Sequence, residues 1–531
     1  MRKFFAILFV SIALVGCGSS NNGFVATPLT NSGNPILPQA VNDTYTTLGN
    51  APVSFPSSSG VLRNDVLPSG GIDTFDAATT QNGSVSLNSD GSFTYTPRFG
   101  FTGTDTFTYT LANGAGTSTA TVTIQVPEAA YFVNNSGSNG NGSLATPFNN
   151  IASALAAANE NDVIFLFRGD GTSTGMDTAV TLKNGQSLVG EATGLSSDGT
   201  IVAPGQRPNT SLQITLADNN KISGLAFSRA GTGDIITGDT FTGLTVQDNL
   251  FNTESSRAVN LEDASGSISI TKNRFVALAG GADGVRIYQA AGSLNANVTI
   301  ESNRFQTSNT PILGLVANPS TAGDLGIDLQ LAGGTTTVTL SENVMEQVSG
   351  NSQWQAFLNL LTENAAQSTV TLNNNLLSAV NNDAVVVSVG GNSTLRLEAS
   401  NNSGSSIGSD AFRLLQNDAS KMTCILTGNN FSTQDQGINQ ASSSSSETAI
   451  RLVNNMFSSA GTSSANLESG SSGTVCLDAT GNTLNKGLRL VQTDTATFQV
   501  EQFNSLSTLN NGANIITSGT ITNVADGTCQ F

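Results

Sequence analysis

The chain has 531 residues, 38% hydrophobic and only 11% charged, which is enough apolar content for a buried core and excludes a disordered polyelectrolyte. Its net charge is −18, falling to −20 if Arg2 and Lys3 are removed with a leader, so nucleic acid, anionic headgroups and polyanionic sugars are poor partners. Histidine is absent, which excludes Ser-His-Asp and zinc chemistry and removes the commonest proton shuttle.

Met1-Arg2-Lys3 followed by an apolar run from Phe4 to Val15 reads as a signal peptide, too short to span a membrane comfortably. The run ends in Leu14-Val15-Gly16-Cys17, which resembles a bacterial lipoprotein box. That resemblance implies that Cys17 is lipidated and becomes the mature N-terminus, and that Gly18, where an inner-membrane protein would carry Asp, directs the protein to the outer membrane. Residues 18–39 are rich in Ser, Asn, Gly and Pro and have no apolar period, as expected of a flexible tether.

Residues 40–127 change to short alternating runs, Phe93-x-Tyr95 and Phe107-x-Tyr109, separated by the turn signals Asn82-Gly83 and Asp90-Gly91. The pattern predicts a small β-sandwich. The runs AVNDTYTT, GVLRNDV, DGSFTYTPRFGFTGTDTFTYT and STATVTIQV resemble the bacterial cadherin-like, immunoglobulin-like repeats of large surface proteins. Some members of that family hold Ca²⁺ between tandem copies, and Asp43, Asp65 and Asp105 are the acidic positions here. A single copy lacks the partner module, and the competing expectation is that these acids close turns.

Pro127 marks a boundary, after which residues 128–531 follow a different rule. Ile151, Ala154, Leu155 and Ala158 lie on one helical face and predict a short helix that covers the open end of a stacked core. A strand over Val163 to Phe167 follows, and then a repeat of about 22 to 30 residues with two landmarks. A small residue opens one apolar run and an Asn closes another, 15 to 19 residues later, from Ala258 and Asn273 through Ala356 and Asn375, Ala384 and Asn402, and Ala411 and Asn429 to Gly487 and Asn504. Val338-x-Leu340 and Ile450-x-Leu452 show the two-residue period of half-buried strands, and so short a unit can bury its apolar face only by stacking on its neighbours. The closing Asn residues are 27, 27, 26 and 27 apart from Asn375 to Asn482, which stacks them into a hydrogen-bonded ladder. Phe251, Phe275, Phe305, Phe431 and Phe457, each two residues beyond its Asn, form an apolar column beside it. With these features residues 128–531 resemble the right-handed parallel β-helix proteins of the pectate-lyase-like (pectin lyase-like) superfamily, and the whole chain is expected to be all-β.

In that superfamily, lyases use an Asp cluster holding Ca²⁺ with an Arg as base, and hydrolases set two or three Asp residues around a water. The positions that match are Asp383 and Asp410, each just before the small residue of its coil, with Arg413 on the same strand; the alternative is that such Asp residues satisfy turn amides, as Asp283 beside Gly284 would. Two stacked carboxylates repel, so either Ca²⁺ sits between them or one pKa rises. Tyr288 and Trp354 are candidate sugar-stacking platforms. About 15 extra residues around Pro311 to Asp324 are expected to bulge from the rod. Cys424 and Cys476 lie two coils apart, beyond bridging distance, so Cys476 with Cys529 is the pairing left open. The expectation is an outer-membrane lipoprotein held by its lipid anchor, needing no cofactor unless Ca²⁺, and displaying the rod as an adhesion surface for glycans or surface proteins. A polysaccharide lyase or hydrolase and a structural envelope spacer are the alternatives.

Overall fold

The structure, a computed structural model, describes residues 36–229, 233–253, 257–277, 283–290, 295–307, 325–347 and 354–531. Cys17, the leader, most of the tether and the Pro311–Asp324 insertion lie outside them. The described chain is a sandwich followed by a parallel β-solenoid of about 12 turns. At ~4.8 Å per turn the solenoid is roughly 55–60 Å long.

From Asn209–Thr210 onward each turn of the solenoid contributes one strand to each of three sheets, whose totals of 15, 13 and 11 strands differ because the end turns are incomplete. In the turn that begins with Lys421–Thr427, the chain crosses to Asn430–Thr433 and then to Ile438–Ser442 before the next turn starts at Glu447. The registers are parallel, so like residues stack: Val338, Val370, Leu397, Cys424, Ile450 and Leu477 form one buried row. The alternation of apolar and polar residues is what makes this possible, since successive side chains point to opposite faces.

The Asn ladder forms as the spacing requires. Oδ1 of Asn429 accepts from both the backbone N–H and the side-chain amide of Asn402, at 3.0 and 2.9 Å, and its own Nδ2 donates to the Ala399 carbonyl and to Oδ1 of Asn455. The residue before each of these Asn residues turns the corner in the left-handed region, as Asn401, Gly428 and Asn454 do with φ of 56°, 65° and 54°, which is why Asn and Gly recur there. The last rung is Asn510. Asn504, expected to close the ladder, instead sits exposed in a short 3₁₀ helix, while Asn482 donates to Asn510 Oδ1 at 2.6 Å. The chain reaches the corner six residues later than the repeat predicts because the final turn inserts the helix Leu506–Leu509 under the core.

Phe227, Phe251, Phe275 and Phe305 stack with ring centroids 4.9 to 5.1 Å apart. The small residues exist to clear this column: a Cβ on Gly284 would lie 2.7 Å from the Phe305 ring, and one on Gly326 2.7 Å from Met345. One landmark shifts. Leu325 pairs with Ala356 and Ile327 with Leu358, so Phe357, not Ala356, takes the place in register with Gly326. Here the column has narrowed to Met345 and Leu377, and the Phe357 and Trp354 rings fill the space, each packed edge-on to Phe305.

The helix forms at Ile151–Ala157, capped by Asn150, which accepts the Ser153 N–H, and buries Ile151 and Ala154 in the solenoid core. At the other end the chain folds back so that Cys529 bonds Cys476, while Cys424 is buried and free. Cys476 is aligned with Ala449 on the outer face of its sheet, whereas Cys424 faces inward, so the two could never have paired.

The sandwich has one sheet made of Asp43–Thr46, Gly116–Val126, Gly103–Asn113 and Gly71–Phe75. The other contains Val53–Phe55, Phe93–Thr96 and Ser84–Leu87, and is extended by Leu195–Ser196 and Thr200–Val202, which come from the solenoid half of the chain. Phe55, Phe93, Tyr95, Phe107 and Tyr109 fill its core.

Candidate functional site

The three acidic residues singled out in the sandwich separate into two environments. Asp105 is fully buried and accepts from the Thr79, Thr80 and Tyr95 hydroxyls and from the backbone N–H groups of Gln81 and Thr106. Burial alone would raise its pKa, but these donors outweigh it and the net shift is downward. Asp43 and Asp65 meet instead at the Tyr109 hydroxyl, 3.4 and 2.8 Å away, and Asp65 also accepts the Val41 N–H. One O–H cannot serve two carboxylates. Burial, with the Asp65 charge adding to it, pushes Asp43 up to about 6.

Asp383 and Asp410 are brought together as their 27-residue spacing predicts, but in a chain rather than as a facing pair. Asp383 accepts the Asp410 N–H at 2.9 Å and lies 3.4 Å from the Arg413 guanidinium; Asp410 in turn accepts the Gln436 N–H at 2.9 Å and the Asn439 amide at 3.0 Å. Asp234 and Asp283 do the same for Arg257 and Leu325. These carboxylates satisfy corner amides one turn onward. Both members of the pair are buried, 5% and 2% exposed, whereas a pair that activates a water against a polymeric substrate must be within reach of that substrate. Burial is also the main reason that Asp410 is pushed up to about 6; the Asn439 hydrogen bond opposes it and the Asp383 charge adds to it. Among the described residues no group of three or more Asp, Glu, Cys or His is disposed to hold a metal ion.

These raised values have a testable sign. A carboxyl whose folded pKa lies above its unfolded value near 3.8 adds stability that is complete below pH ~4 and is lost as pH rises through ~6. Melting temperature is therefore expected to fall between pH 5 and 7.5, and the slope to flatten in Asp43→Asn/Asp410→Asn. Thermal melts across that range check it; an identical slope in parent and variant contradicts the assignment.

Trp354 is corrected by the structure. At 1% exposure it is a core residue packed 6.0 Å from Phe305, so it offers no face for a sugar. Tyr288 is half-buried on the outer side of the 13-stranded sheet, with the Arg286 guanidinium 5.3 Å from its ring centre. It follows Glu262 in a row that the repeat alone does not single out: Glu262, Tyr288, Gln330, Leu361, Ser388, Leu415, Ala441, Glu468 and Val491 stand in register down the rod. Each lies four residues beyond its landmark position, Phe357 in the case of Leu361, which is the signal that could have found them. Beside the row run three depressions that share residues. The first holds Tyr288, Leu361 and Glu363, the second Leu361, Asn364 and Asn417, the third Asn417, Glu468 and Asp494. Together they make one shallow axial groove of roughly 30–35 Å, seven coil spacings at ~4.8 Å. It is lined by amides, hydroxyls and carboxylates interspersed with isolated apolar side chains.

The sandwich forms as its alternating runs predict, and residues 36–128 match the family described as bacterial cadherin-like domain. This segment is a bacterial cadherin-like domain. No curated protein and no solved structure matches the chain.

Proposed function

We propose that the chain is an outer-membrane lipoprotein, anchored through Cys17, whose solenoid binds a neutral, extended glycan along its axial groove. A cadherin-like domain joined to a β-solenoid fits a surface or ligand-binding protein. The observation that carries the finer reading is the continuity of the groove from Tyr288 to Asp494, with an aromatic ring at one end and hydrogen-bonding groups throughout. The acidic side chains along it and the net charge of −18 favour uncharged over anionic polymers. Adhesion fits this site better than cleavage, because the buried Asp383 and Asp410 are both engaged at the corner. A glycan array probed with the full chain is expected to retain neutral glycans, with Tyr288→Ala weakening binding at least tenfold and leaving the melt unchanged. Release of reducing ends that Asp383→Asn/Asp410→Asn abolishes would install the lyase or hydrolase reading instead.

The anchor has its own check. Cys17→Ser is expected to move the protein from the detergent phase to the aqueous phase, since acyl chains hold a membrane where an acidic surface cannot. Unchanged partitioning would place the anchor elsewhere.

A further inference from the structure

We infer that the cadherin-like domain and the solenoid are locked into one rigid unit, and that the hairpin Leu195–Val202 is the lock. A domain hung on a flexible linker makes few contacts with its neighbour. This one makes three kinds, at separate places.

The first is strand addition. Thr200 pairs antiparallel with Ser54, so the solenoid hairpin covers the Val53–Phe55 edge that the sandwich would otherwise leave open. At the hairpin tip Asp198 closes on the opposite sheet: its carboxylate accepts the Thr46 N–H at 2.6 Å and its own N–H donates to the Thr46 carbonyl at 3.3 Å. Gly199 is pressed so close that a Cβ would lie 2.7 Å from the Val53 side chain and 2.8 Å from the Ser54 carbonyl.

The second is a shared core. Leu48 and Ala51 of the domain pack with Phe132, Phe165, Val189 and Leu195 of the solenoid, and Ile201 packs against both this cluster and the interior of the sandwich. The first solenoid strand, Ala130–Val133, is consequently buried on both faces. The third is the connection itself, where Gly49 exchanges hydrogen bonds with Glu128 and Ala130, at 2.9 and 3.1 Å, and Leu144 donates to Asn50 at 3.1 Å. Attachment at the connection, at the core and at a distant sheet edge removes all swivelling freedom, so the domain sets the direction of the rod instead of articulating it.

Hydrogen exchange and calorimetry on the full chain test this. In the parent, residues 44–55 and the first solenoid strands are expected to exchange at one common slow rate and to melt in one transition. Gly199→Val/Ile201→Asp is expected to separate the transitions and to speed exchange over 53–55 at least tenfold. Asp198→Ala removes one accepted N–H and no apolar contact, and should speed exchange at Thr46 severalfold; it carries the test if the double variant does not fold. A parent whose domain melts apart from the solenoid, or variants that leave exchange over 44–55 unchanged, would overturn the lock.

Discussion

Opening the Cys476–Cys529 bridge, by reduction or by Cys529→Ser, is expected to cost about 4 kcal/mol, the chain-entropy value for a loop of this length. The bridge closes 53 residues of sequence and ties the end of the chain across the outer face of the 15-stranded sheet. The strap has further holds: the Cys529 N–H donates to the buried Glu501 carboxylate, and the Phe531 ring lies 4.0 Å from the Arg451 guanidinium, which is itself paired with Asp478. A solenoid must protect its terminal coil, since that coil has a neighbour on one side only. Reduction should therefore first release the strands Thr497–Glu501 and Ile521–Val524, leaving the middle coils intact. Urea denaturation with and without reductant, with proteolysis mapping of the C-terminal strands, checks both size and place. A reduced protein as stable and as protected as the oxidised one would show that packing alone holds the cap.

Phe431→Ala is expected to cost about 3–5 kcal/mol, toward the upper end, because its surroundings cannot collapse into the space. Its ring stacks in register between Phe457 on one side and Gly404 on the other, so close to Gly404 that a Cβ there would lie 2.8 Å from it, and the Phe412 ring packs edge-on at 5.6 Å. Asn429→Ala should cost about 1–3 kcal/mol for each corner group left without a partner, the candidates being the Asn402 N–H and the Ala399 carbonyl. Ser432→Ala, on the exposed face of the same strand, is the control and should stay within about 0.5 kcal/mol. Melts that do not separate Phe431→Ala from Ser432→Ala would contradict the register.

Much of this was legible in the chain because the solenoid repeats one local solution. A two-residue period says which side chains face inward, and recurrence at 26 to 27 residues says which of them stack, so the Asn ladder, the Phe column and the inward Cys424 follow without any coordinates. The same reasoning left Cys529 as the one possible partner of Cys476, the pair that forms. The cadherin-like domain was legible for a different reason, since its runs and turn pairs are contiguous in sequence.

Tertiary structure decided whatever depends on contacts the period does not encode. Asp383 and Asp410 are adjacent as their spacing demands, yet whether carboxylates one coil apart face water or backbone amides is set by the corner geometry. Periodicity placed Trp354 beside a strand but not beneath it; the narrowed column at Met345 and Leu377 drew it inside. The final rung moved from Asn504 to Asn510 because the last coil has no successor to impose its register. The hairpin Leu195–Val202 pairs with Ser54, far back in sequence, and strand alternation carries no record of which distant edge a strand will meet. The sequence by itself thus determined the stacked core and its ladders, because identical neighbours enforce them locally. The groove, the buried acids and the rigid junction were decided only in three dimensions, where edges, corners and chain ends compete for partners.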